Sequence, residues 1–80
     1  MVVAGVLIET APGAEPRVAA RLLRRDGVKL QGGDGVRRIA AVLSGPTGAM
    51  LEALTERLLA EDDEILGVFP TFVGSDDGPA

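Results

Sequence analysis

Cysteine, histidine, tryptophan, tyrosine and asparagine are all missing from this 80-residue chain. Without cysteine there is no disulfide, no thiolate metal site and no thiol redox chemistry. Without histidine the commonest general base at neutral pH and the commonest metal ligand are gone. Phe69 and Phe72 are the only aromatics, so a nucleobase finds little to stack on. Cations are few as well: 8 Lys and Arg stand against 12 Asp and Glu, for a net charge of −4. That sign opposes nucleic acid as a partner and suits a cationic peptide. Long apolar runs are also absent. Met1 to Ile8 is apolar but lacks a basic leading region and is far too short to span a bilayer. These absences lead to the expectation of a cytoplasmic binding protein with no signal peptide, no membrane insertion, no cofactor and no catalytic centre.

What is present reads as one pattern twice. A strand, an amphipathic helix and a strand occupy roughly residues 2–32, and the same order recurs over roughly 36–73. Val2 to Ile8 is a continuous apolar, β-branched run, the mark of a central strand. Pro12 and Gly13 turn the chain, and a helix is expected from Ala14 to Arg25 with Pro16 in its first turn. Val18, Ala19, Leu22 and Leu23 form its apolar stripe. Val28 to Gln31 alternates as a short strand. Gly32, Gly33, Asp34 and Gly35 carry the strongest hairpin signal; a phosphate loop would need a Gly-Lys-Ser/Thr and a following helix. Arg37 to Leu43 is the third strand. The second helix opens near Gly45, Pro46 and Thr47 and buries Met50, Leu51, Leu54 and Leu58. Ile65 to Val73 is the last strand, placed at a sheet edge because Pro70 cannot donate to a ladder. One domain is expected over residues 1–74, with a disordered tail over 75–80.

Right-handed crossovers then give an α+β βαββαβ sandwich, a four-stranded antiparallel sheet in the order 4-1-3-2 with two helices on one face. Its central pair, strands one and three, is expected to run parallel. The other sheet face is left uncovered. Period-two alternation puts Ala4, Val6, Ile8, Val28, Leu30, Ile39, Ala41, Leu43, Val68 and Phe72 toward the helices. Gly5, Leu7, Ala40, Val42, Phe69 and Thr71 then point to the open face, rimmed by Glu9, Lys29 and Arg38. An apolar centre with a charged edge is what a groove for an amphipathic peptide requires. Burial of the same face in a homodimer is the competing expectation. The arginines of the first helix (Arg17, Arg21, Arg24, Arg25) read as a solvated face beside acidic neighbours. Glu61 to Glu64 reads as a solvated turn without the spacing of a calcium loop, although Asp62 and Asp63 could also attract a partner's arginine pair.

GVLIET over residues 5–10, RLLRRD over 21–26, the glycine-rich hairpin, RIAAVL over 38–43 and EILGVFPTFV over 64–73 together resemble the NapD family, small cytoplasmic chaperones of the periplasmic nitrate reductase. The resemblance rests on element order, element lengths and the closing strand, and spans about residues 2–74. It implies a ferredoxin-like fold that binds the twin-arginine signal peptide of an exported molybdoenzyme precursor and delays export until the molybdenum cofactor is inserted. The open face fits such a peptide, with Glu9 available to its arginine pair. The chain departs from the family in its scarcity of aromatics and in Pro70. The alternative is an amino-acid sensing module of the ACT or Lrp ligand-binding type, using the loops at Pro12-Gly13 and Gly32-Gly33.

Overall fold

Strand β1 runs through the middle of the sheet and sets the position of every other element. In the computed structural model, which describes residues 1–75, the order is β1 (Val2–Thr10), α1 (Glu15–Leu22), β2 (Val28–Gly33), β3 (Arg38–Gly45), α2 (Gly48–Glu61) and β4 (Ile65–Ser75). The sheet order is β2-β3-β1-β4, and every neighbouring pair is antiparallel. This is the ferredoxin-like βαββαβ arrangement, with two helices on one face. The expectation of a parallel central pair fails for a topological reason. Each crossover carries the chain to its second neighbour, so β1 is parallel to β2 and β3 is inserted between them in the opposite sense. Ser75 closes β4; residues 76–80, to which the expected disordered tail extends, lie outside the described residues.

Parity along β1 and β3 builds the core. Ala4, Val6, Ile8, Ile39, Ala41 and Leu43 are buried under the helices, with Val18 and Leu22 of α1, Leu51 and Leu58 of α2, and Ile65. Val28, Leu30 and Val68 pack against them half-buried. The helix stripes are narrower than the sequence suggests. In α1 the buried line is Ala14, Val18 and Leu22, at i, i+4 and i+8, whereas Leu23 is 69% exposed. The helix stops at Leu22, short of the expected Arg25, and the next turn tightens: Arg24 N–H donates to Arg21 C=O and Arg25 N–H to Leu22 C=O. In α2 the line is Leu51, Leu54 and Leu58, at i, i+3 and i+7, and Met50 lies off it, exposed. Thr47 is the cap of α2; its Oγ1 accepts from Met50 N–H at 3.2 Å.

The β2–β3 hairpin is held by one carboxylate. Asp34 Oδ1 accepts from the N–H groups of Val36 and Arg37 at 2.9 Å and of Arg38 at 3.0 Å. Gly35 supplies the positive φ of 76° that the turn requires.

Leu58 has no exposed surface, so Leu58→Ala removes packing with little room for collapse and is expected to cost about 2–5 kcal/mol. Leu23→Ala should stay within about 0.5 kcal/mol. Urea unfolding of both variants measures the difference, and equal losses would show the helix stripes to be misassigned.

Candidate functional site

The open face is assembled by strand register. Opposite residues of an antiparallel pair share a face, and the pairs Glu9–Arg38, Leu7–Ala40 and Gly5–Val42 join β1 to β3. Lys29 joins this set across Val42 from β2. Phe69 lies across Leu7 from β4. A register shift between Gly5 and Val6 leaves Thr71 as an extra residue in β4. The Thr71 hydroxyl oxygen stands 2.8 Å from where a side chain on Gly5 would begin. Gly5, Leu7, Glu9, Lys29, Arg38, Ala40, Val42, Phe69 and Thr71 are therefore brought to one face. Both helices pack against the other.

Phe72 departs from its expected place. Period-two counting puts it in the core, but the bulge at Thr71 adds one residue and moves Phe72 to the open face opposite Gly5. Its ring lies over that glycine, so closely that a Cβ on Gly5 would collide with the Phe72 ring carbons Cε1 and Cδ1. Gly5 is buried, and its lack of a side chain leaves the room that the ring occupies against β1. Phe69 uses the same device within its own strand: a Cβ on Gly67 would fall 2.7 Å from its ring. Phe69 and Phe72 remain 52% and 54% exposed. Leu66, at a second register shift between Glu9 and Thr10, is exposed as well. Period counting could not find Phe72. The available signals were Pro70 and Gly67, residues that mark bulges in an edge strand.

The charged groups divide into two sets. On the open face, Glu9, Lys29 and Arg38 form no ion pair among the described residues. On the far side the α1 arginines and the acidic turn after α2 engage one another. Arg21 grips Asp62 with two hydrogen bonds, at 2.8 and 2.9 Å, and reaches Glu64 at 3.0 Å. Arg17 pairs with the other Glu64 oxygen at 2.6 Å. Arg25 and Arg57 share Glu61. Hydrogen bonds from Arg17 and then Arg21 hold the Glu64 carboxyl down at about 2; those from Arg25 and Arg57 lower that of Glu61. The turn is thus an intramolecular clasp, and Asp62 is already committed to Arg21. Asp63 is exposed.

The two glycine-containing loops also meet. Gly13 N–H and Glu15 N–H both donate to Val36 C=O, and the Glu15 carboxylate lies against the backbone of Gly33. Their polar groups are turned on each other. Among the described residues no cluster of acidic side chains could hold a metal ion, and no helix is long and apolar enough to cross a membrane. Comparisons with protein-family models, with curated proteins and with solved structures give no match.

Three backbone donors hold the Asp34 carboxyl at about 2, well below the value near 3.9 of a free aspartate. A carboxyl depressed in the folded state adds stability above its unfolded pKa and loses it as pH falls through the folded one. Wild-type protein should therefore lose stability between about pH 4 and pH 2, through Asp34 and Glu64 together. Asp34→Asn, which cannot carry the charge, should have a lower Tm at pH 6 and a shallower decline on acidification. Thermal melts at both ends of this range are the measurement; parallel declines would show that Asp34 does not secure the hairpin.

Proposed function

We propose that the open sheet face docks an apolar peptide segment with a basic start, and that this segment is the twin-arginine signal peptide of an exported molybdoenzyme precursor. On this reading the protein is a cytoplasmic chaperone of the NapD kind that holds the precursor until its cofactor is inserted, and it catalyses nothing. The observation that carries the reading is the placement of both aromatic residues of the chain, half-exposed, on a face with Leu7, Ala40 and Val42. Aromatic rings at the centre of an interface carry a large share of its energy. Each fully buried apolar side chain contributes about 1.5–3 kcal/mol before ordering costs.

The mode of docking follows from the edge strand. β4 is long, but Pro70 removes a donor and two bulges twist its edge. Such an edge resists addition of another strand. The peptide is therefore expected to lie across the face, in the manner of an amphipathic helix on a groove. Lys29 and Arg38 occupy the β2–β3 half and repel a basic segment. Glu9 stands on β1, opposite Gly67 of β4, and can take an arginine in a bidentate contact.

Calorimetric titration with twin-arginine signal peptides of molybdoenzyme precursors should show saturable binding. Phe69→Ala and Phe72→Ala should each weaken it by about tenfold or more while leaving the fold intact by circular dichroism. Absence of heat with every such peptide would defeat the proposal. So would a free protein that sediments as a dimer with Phe69 and Phe72 buried. A rise in Tm with a free amino acid, alongside silence from the peptides, would favour a sensing module instead.

A further inference from the structure

The helix side of the sheet carries a second apolar concavity. β4 is 11 residues long and overhangs the helix layer. The 8-residue α1 packs mainly over β2 and β3, and α2 packs against β1, β3 and β4. The uncovered corner is a groove of about 430 Å³ with Ala4 and Val6 of β1 and Val68 and Pro70 of β4 in its lining. Leu51 of α2 contributes the facing wall. These β1 residues have the parity opposite to Gly5 and Leu7, so the groove and the Phe69–Phe72 face lie on opposite sides of the sheet. A volume of this size is in the range that encloses a small organic ligand.

Polar groups occur on the α2 side. Glu52 and Glu56 both border the groove, one helical turn apart, where two like charges repel. Neither is ion-paired among the described residues. Arg57, the one cation on α2, is engaged with Glu61. Thr55 also borders the groove, but its hydroxyl donates to Leu51 C=O at 3.0 Å. The site therefore combines an apolar interior with two unanswered carboxylates at its border. A cation seated there relieves their repulsion while its apolar part fills the space above Ala4 and Val68.

We propose that this groove binds a small amphiphile with a single cationic head, of which a protonated medium-chain alkylamine is the simplest representative. The inference is independent of the peptide-docking reading, because it uses the other face and none of the same residues. Charge selects the ligand class: an anionic head of equal chain length meets two carboxylates and is rejected.

The test is titration of the full chain with octylamine and, separately, with octyl sulfate and octanol, followed by methyl NMR. Octylamine is expected to shift the methyl signals of Val68 and Leu51 saturably, with octyl sulfate at least about tenfold weaker and octanol between them. The double variant Glu52→Gln, Glu56→Gln should reduce the difference between amine and sulfate to near unity. Ala4→Leu should fill the groove and abolish the shifts, with a preserved melting transition showing that the fold survives. Phe69→Ala should leave amine binding unchanged, which separates this site from the open face. Equal affinity for amine and sulfate, shifts confined to the methyls of Leu7 and Val42 on the open face, or no saturable shift at all would overturn the proposal.

Discussion

The constraint on which the rest of the structure depends is the double pairing of β1. In this strand Val2 to Glu9 pair with β3 on one side and β4 on the other, and Thr10 pairs with Ile65 of β4. Its side chains must therefore divide between two faces of opposite character. Ala4, Val6, Ile8 and Thr10 go under the helices and are buried; Val3, Gly5, Leu7 and Glu9 go to the open side. A slip of one residue in either ladder would exchange the two sets and put Glu9 in the core. Apolar residues on both parities make β1 a tolerable centre for the sheet, and the single charge at Glu9 fixes its phase. Thr10, fully buried at the end of the strand, is satisfied through its hydroxyl bond to Ala11 C=O, so the last turn of phase leaves no unpaired polar atom behind.

The sequence disclosed the architecture because its punctuation and its periods agree. Pro12-Gly13, the Gly32–Gly35 cluster and Gly45-Pro46 separate segments whose apolar spacing switches between two and 3.6 residues, and each boundary falls within a few residues of the observed one. The parity of β1 and β3 was legible because Arg38 and Glu9, paired across the ladder, each need solvent and adjoin a run that is otherwise apolar. Phe72 was not legible. A bulge inserts one residue into the count, and no periodic template contains it. Leu23 and Met50 were misplaced for a related reason. Each adjoins a true core residue, about 100° round the helix, and apolar character alone cannot say which member of such a pair faces inward.

The clasp between α1 and the turn after α2 was hidden for a different reason. Arg21 and Asp62 are 41 residues apart in the chain, so only the fold brings them together. Once the helices lie side by side, basic residues on α1 and acidic residues beyond α2 become neighbours. The resulting bonds are exposed, and each is modest and screened by salt. Their geometry matters more than their number: Arg21 spans Asp62 and Glu64, and so ties α1 to the residues immediately before β4. In a small domain with no disulfide, this bracing bears on the strand that carries both phenylalanines. The same bonds engage Glu61, Asp62 and Glu64 and leave Asp63 exposed in the turn, with Glu9 on one sheet face and Glu52 and Glu56 beside the groove on the other.

Exposure of Phe69, Phe72 and Leu66 along one edge strand is a hazard that folding alone does not require. A chain selected only for stability could place threonine or lysine there. Instead, Gly5 and Gly67 give up their side chains to seat the two rings, which leaves each ring supported from below and open above. The backbone of the same strand is meanwhile protected from edge pairing by Pro70 and two bulges. The side chains are thus prepared for contact while the ladder edge is guarded against it. On the proposed peptide-docking reading, that combination suits a surface covered from above better than one extended sideways, and it directs that reading to the face rather than to the edge of β4.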